Sequence, residues 1–164
     1  GFNTWQVLPF AECGYGLSPY SSISSFAINK YLIDLTEFLT DEEMMSFGFD
    51  KFNTATIANL YEEECKFNKA LDLVYSKKGN EFDRLKFNKN NAYWLDDYAL
   101  FMALKEFFQG AAWYEWPEDI RLRYGYAMDY YRRELYFAIE LTGSQSIIVN
   151  SCLNPSKFIS SILP

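Results

Sequence analysis

The sequence predicts an α/β chain that is mainly α-helical, with one or two short strands. Three observations predict it. Apolar residues recur at helical spacing over 54–75 and again over about 92–109. Thr40 and Glu43 have the spacing of a capping box. A short apolar run, Trp5-Gln6-Val7-Leu8-Pro9-Phe10, reads as a buried strand closed by Pro9.

After that strand comes a glycine-, proline- and serine-rich loop from Glu12 to about Ser25. Connections of this length without regular structure are usually functional or disordered, and the Tyr and Phe content here argues against disorder. The capping box starts a short helix at Thr40. The next helix places Ile57, Leu60, Tyr61, Cys65, Leu71, Val74 and Tyr75 near one stripe, and Lys77-Lys78-Gly79-Asn80 breaks it. Over 92–109, Trp94, Leu95, Tyr98, Phe101, Met102 and Phe108 point inward, with Gly110 as the C′ stop. Pro117 fits position N1 of a further helix, with Glu118 and Asp119 in the first turn where the helix dipole favours anions. Gly125 interrupts, and a final helix runs to about Leu141. From there to Pro164 the only charge is Lys157 and the only ring Phe158, so the amphipathic pattern does not continue.

The 164 residues are one domain's worth of chain, 49% apolar and 23% charged, which is a globular composition. The net charge of −7 disfavours nucleic acid as a partner. No apolar run approaches the roughly 18 residues of a membrane helix, and no leader peptide is visible. Histidine is absent, which excludes Ser–His and Cys–His nucleophiles and His-containing metal sites within the chain. Cys13, Cys65 and Cys152 are odd in number and widely spaced, so they are expected as buried thiols rather than a disulfide framework or a metal site. Rings make up 20% of the chain, and most are expected to fill a core.

Carboxylates remain as candidate chemistry. Asp96-Asp97 and Glu62-Glu63-Glu64 are adjacent in sequence, so on a helix they diverge, and solvated faces or caps are expected. No catalytic acid is assigned. The loop Cys13-Gly14-Tyr15-Gly16-Leu17-Ser18-Pro19-Tyr20 is a stronger candidate. Its glycines let the backbone approach a ligand closely, and Pro19 stiffens the turn that carries Tyr20. A ligand loop and a plain structural turn both remain open. Trp113-Tyr114-Glu115-Trp116-Pro117 reads first as a hydrophobic staple before a helix, with a sugar platform as the alternative.

Two blocks carry a resemblance. The first is Trp5-Gln6-Val7-Leu8-Pro9, Gly14-Tyr15-Gly16, Ser18-Pro19-Tyr20, Ser22, Ser24, Phe26-Ala27, Asn29 and Tyr31-Leu32-Ile33-Asp34-Leu35. The second is the run from Trp94 to Lys105, then Trp113, Trp116-Pro117, Leu122 and Arg123. Together they resemble the N-terminal region of the amylomaltases, the 4-α-glucanotransferases of glycoside hydrolase family 77. The resemblance implies a retaining transferase that moves α-1,4-glucan segments between malto-oligosaccharides through a covalent glucosyl-enzyme. It implies no cofactor. The odd number of thiols and the lack of a visible export signal point to a cytoplasmic location, or a plastid in a plant or alga. The fold implied is an incomplete piece of a (β/α)8 TIM barrel with a mostly helical insertion. In that frame residues 1–140 are the N-terminal part of the catalytic domain, without the first strand and the catalytic half. The isolated chain is then expected to be inactive and poorly soluble unless another chain completes it.

The resemblance also implies site roles. Tyr20 matches a tyrosine that packs against sugar beside the cleavage point, and Gly16 and Ser18 match its neighbours. Tyr15 and Tyr61 resemble tyrosines that hold glucan at a secondary groove, although Tyr61 also fits a core position. The chain departs from the family pattern at Leu17, where an aspartate is usual, and at Ile28-Asn29-Lys30, where Gly-Asn-Pro is usual. Residues 141–164 are an anomalous tail of the kind a frameshift produces. The rival reading is a non-catalytic glucan-binding or interaction module using Tyr15, Tyr20 and Trp113.

Overall fold

The computed structural model describes residues 8–14, 18, 20–49, 60–78 and 84–152. These are mostly helical. Helices α1 (Asp41–Ser46), α2 (Leu60–Lys78), α3 (Arg84–Phe107), α4 (Glu118–Arg121), α5 (Gly125–Glu134) and α6 (Tyr136–Cys152) follow one another, with short 3-10 turns at Lys30–Leu32, Leu35–Glu37 and Trp113–Glu115. Residues 5–7 of the expected strand at 5–10 lie outside the described residues, and Leu8–Phe10 form no strand. Among the described residues, β pairing is limited to two isolated antiparallel bridges, Ala11–Ile28 and Cys13–Ser22.

The capping box at α1 forms as the spacing predicts. Thr40 N–H donates to Glu43 Oε2 (2.9 Å) and Glu43 N–H donates to Thr40 Oγ1 (3.3 Å). Lys77 of α2 then binds both oxygens of Glu43, at 2.9 and 2.8 Å. The Lys77 ammonium and the Thr40 N–H hold the Glu43 carboxyl below its usual range.

Helix α3 begins at Arg84, ahead of the expected residue 92. Its first two turns are polar and mostly exposed, so they carry no apolar stripe to read. Asn91 bonds within the helix instead: its amide donates to Phe87 O (2.8 Å) and its Oδ1 accepts from Trp94 Nε1 (2.9 Å). The other end of α3 is a Schellman stop. Gly110 N–H reaches Lys105 O (2.7 Å) and Gln109 N–H reaches Glu106 O (2.9 Å), which puts Gln109 at C′ with φ 54° and Gly110 one residue further on. Helix α4 ends the same way, with Arg123 at φ 57°. Pro117 is the N-cap of α4 rather than N1, a one-residue difference of the usual size.

The expected final helix is two helices joined at Leu135, and the second continues past Leu141 to Cys152. Ile147, Ile148 and Val149 of α6 are each at most 2% exposed. A helix hydrophobic at successive positions is one surrounded by protein, so it lacks a one-sided stripe. Its polar residues bond locally: Ser144 Oγ to Glu140 O (2.7 Å) and Asn150 Nδ2 to Ser146 O (2.9 Å). Helix α6 packs chiefly on α3, with further contacts to α2 and α5.

Buried side chains fall into three clusters. One joins Ile33, Leu35 and Leu39 to Ala70, Leu71 and Val74 of α2 and Ile148 of α6. The second joins Leu100 and Leu104 of α3 to Trp116, Ile120, Ala127 and Met128. The third sets Ala27 against Trp94 and Leu95. Rings such as Phe38, Phe47, Phe67, Phe101 and Phe108 pack partly buried against these cores, and few rings are fully buried. Among the described residues only Trp94 and Trp116 are buried, whereas Tyr20, Tyr93, Tyr126 and Phe137 are more than 65% exposed. Tyrosine hydroxyls hold their rings at the water boundary, and many rings pack on one another instead, as Phe107 does on Phe108 and Tyr131.

Candidate functional site

The loop expected to hold the site is an antiparallel excursion. Residues 10–14 run beside 21–29, with Asn29 N–H on Phe10 O (2.7 Å), Glu12 N–H on Ala27 O (2.8 Å), Ile23 N–H on Glu12 O (3.1 Å) and Gly14 N–H on Ser21 O (2.6 Å). Its tip closes by Ser21 N–H donating to Ser18 O (3.0 Å), and Tyr20 N–H donates to Ser18 Oγ (3.3 Å). Ser18 and Tyr20 are therefore brought together, and the Tyr20 ring is 77% exposed at the tip. Tyr15 and Gly16 lie outside the described residues. Tyr61 lies in the first turn of α2, and its side chain is outside what the structure describes.

Two anchors fix the loop to the helices. Phe26 stacks on Trp94 (5.9 Å) and meets the edge of Tyr93 (5.3 Å), both on α3. Ser24 Oγ accepts from the N–H groups of Phe26 (3.1 Å) and Ala27 (3.0 Å), setting that turn. On the other side Lys30 Nζ binds Glu64 Oε1 (2.9 Å) and Asn68 Oδ1 (3.0 Å) of α2, and Tyr31 packs on Phe67. Gly14 is needed here for contact with the chain itself: a Cβ there would sit 2.7 Å from Ser21 O.

Glu12 was not among the expected site residues. It is the only charge in residues 1–29, the one signal the sequence offers for it. Its side chain is 9% exposed and its Oε2 accepts from Lys30 N–H (3.2 Å). Burial raises its pKa; the Lys30 charge and hydrogen bond oppose this, and Glu64 adds to it. Burial, reinforced by the charges of Glu64 and Glu12, pushes the Tyr31 phenol up to about 12.

The acidic runs behave as their spacing predicts. Glu62 and Glu63 pair with Lys66 along α2 (3.7 and 2.7 Å), and Glu64 turns to Lys30. Asp97 binds Arg123 (2.9 Å) and lies 3.9 Å from Arg132. Cys13 and Cys65 are free and half-buried rather than fully buried, and the Cys152 side chain lies outside the described residues.

The aromatic cluster before α4 divides in two. Trp116 is buried beside Ile120, in contact with Phe101 and Phe108, and donates Nε1–H to Ala111 O (3.2 Å). Trp113 stays 56% exposed on the wall of a cleft of about 230 Å3 whose floor includes Leu100, Phe101 and Met128 and whose lining includes Asp97 and Arg123.

The chain is similar along most of its length to known proteins. The family model for 4-alpha-glucanotransferase, glycoside hydrolase family 77, matches residues 1–155. A 4-alpha-glucanotransferase of Aquifex aeolicus is 40% identical over 126 residues, covering 75% of this chain and 25% of that protein. One of Clostridium butyricum is 35% identical over 143 residues, covering 82% of this chain and 29% of its own length. A chloroplastic/amyloplastic 4-alpha-glucanotransferase of Oryza sativa subsp. japonica is 32% identical over 162 residues, covering 90% of this chain and 27% of that protein. The chain thus spans less than a third of the length of these curated relatives. With a family match over nearly its whole length, the chain belongs to the 4-alpha-glucanotransferase family, glycoside hydrolase family 77.

Proposed function

We propose that the chain is part of an enzyme that transfers α-1,4-glucan segments between malto-oligosaccharides by a retaining double displacement. The family match over residues 1–155 carries this reading. In it, residues 1–140 form the N-terminal part of a family 77 catalytic domain built on a (β/α)8 barrel, with the helices as an insertion upon it. Tyr20 and Ser18, with Gly16, contact the glucan beside the cleavage point, and Tyr15 and Tyr61 hold it further along. The exposed Tyr20 ring on a loop anchored at Phe26 and Lys30 supports that role.

Retaining transfer needs two carboxyl groups about 5–5.5 Å apart across the scissile bond. We assign no residue of this chain to that pair, so the 164 residues alone should not catalyse transfer. No helix among the described residues is long and apolar enough to cross a membrane. The compartment we propose is the cytoplasm, or a plastid in a plant or alga.

Incubating the 164-residue chain with maltotriose and reading the products tests the assignment. No disproportionation is expected. Glucose and longer maltodextrins appearing would place the carboxylate pair within this chain. Maltoheptaose is expected to bind, and Tyr20→Ala to weaken it by about fivefold, the loss of one aromatic contact of roughly 1 kcal/mol. Unchanged affinity would remove Tyr20 from the site. The second reading, a glucan-binding module, is favoured by the exposed Trp113.

A further inference from the structure

The cleft beside Trp113 shares no lining residue with the Tyr20 loop, and the transferase reading above does not use it. Its walls come from four elements: Asp97, Leu100 and Phe101 of α3, Trp113 of the 3-10 turn, Arg123 after α4 and Met128 of α5. We propose that it is an additional, non-catalytic carbohydrate site that seats one glucosyl unit of an α-glucan. This rests on the glucan reading of the family.

Three observations fit that occupant. Trp113 offers a half-exposed indole at the cleft, and its neighbour Trp116 is buried and immobilised by Phe101 and Phe108. An indole face takes the apolar face of a pyranose. Asp97 and Arg123 form a 2.9 Å ion pair at the same cleft, both side chains more than half exposed. The pair presents carboxylate acceptors and guanidinium donors side by side, which suits vicinal hydroxyls. The third observation is size. About 230 Å3 is below the roughly 300–1,000 Å3 of clefts that enclose drug-sized ligands, so one ring enters and the rest of the glucan stays in solvent.

The held geometry is also fixed before binding. Lys105 Nζ donates to Gly110 O (2.8 Å) and Ala111 O (3.3 Å), and Arg121 donates to Tyr114 O (3.2 Å), so the segment carrying Trp113 is tied at both ends. Little ordering is left for the ligand to impose.

Calorimetric titration of the 164-residue chain with maltose and with maltoheptaose tests this. It is run on the unaltered chain and on Trp113→Ala, Asp97→Ala and Tyr20→Ala. The expected result is maltose binding in the unaltered chain and in Tyr20→Ala, at least tenfold weaker in Trp113→Ala and in Asp97→Ala. Unfolding curves matching the unaltered chain show that the variants remain folded, and Asp97→Ala serves if Trp113→Ala does not fold. Maltoheptaose binding that is lost in Tyr20→Ala and unchanged in both cleft variants overturns the cleft and leaves the glucan reading intact. Binding lost only in the cleft variants keeps the cleft and overturns the loop's role. No heat with either sugar overturns both.

Discussion

The two larger cores of this chain are built in opposite ways. The core around Trp116 draws its buried residues from Leu100 to Met128, a single stretch of α3, a turn, α4 and α5. The core around Leu71 gathers Ile33, Leu35 and Leu39 from the loop side, Ala70, Leu71 and Val74 from α2, and Ile148 from α6. The first closes short loops, the second long ones, and long loops cost more entropy before any contact is made. The difference teaches which part of the chain depends on its end. The Trp116 core has its partners at hand, whereas the Leu71 core needs α6 delivered to it.

Substitutions separate the two. The largest effect is expected at Trp116→Ala, about 4 kcal/mol of stability lost on the scale of large-to-small core changes. Urea unfolding followed by circular dichroism measures it. Ile148→Ala comes next at about 3 kcal/mol, since the side chain is fully buried. A cost below about 1 kcal/mol would mean that α6 does not complete the Leu71 core, and the contrast between the cores would collapse.

A smaller effect sharpens the contrast from the loop side. Burial raises the Glu12 pKa above 4.5, with Lys30 opposing and Glu64 assisting. The folded chain therefore keeps a proton that the unfolded chain releases. This contribution is fully present below pH 4.5 and is lost as pH rises through the raised value. Glu12→Gln keeps an acceptor for Lys30 N–H and removes the charge. It should raise the melting midpoint at pH 7 and leave it nearly unchanged near pH 4. A variant that melts lower than the unaltered chain at pH 7 would show that the Lys30 attraction outweighs burial.

The smallest effect concerns a helix end inside the local core. Gln109 occupies the left-handed region at φ 54°, which glycine adopts without strain. Gln109→Gly should stabilise the chain by about 0.5 kcal/mol, the relief of strain less the added freedom of the unfolded chain. Thermal melts on the two proteins resolve that difference.

Some of this was open to reading from the residues. The Thr40–Glu43 cap is a local exchange of two hydrogen bonds, so spacing alone specifies it. The stop near Gly110 is local too, although the left-handed C′ position falls to Gln109, one residue earlier than the glycine indicates. The candidate loop was legible as irregular backbone from its glycines and serines. Glu12 was not legible as a buried group, because its burial depends on Lys30 and on helices distant in sequence.

By itself, the sequence determined the helical stretches at α1, α2 and α3, the irregular loop before them and the family to which the chain belongs. Each rests on residues close enough to interact along the chain or to form an uninterrupted motif. Tertiary structure alone decided that α6 runs on to Cys152. A helix enclosed on several sides has no polar face, so Ile147-Ile148-Val149 leaves no amphipathic trace. It also decided which rings are buried: Trp94 and Trp116 meet partners across the fold, and most of the other rings reach water because no described element covers them.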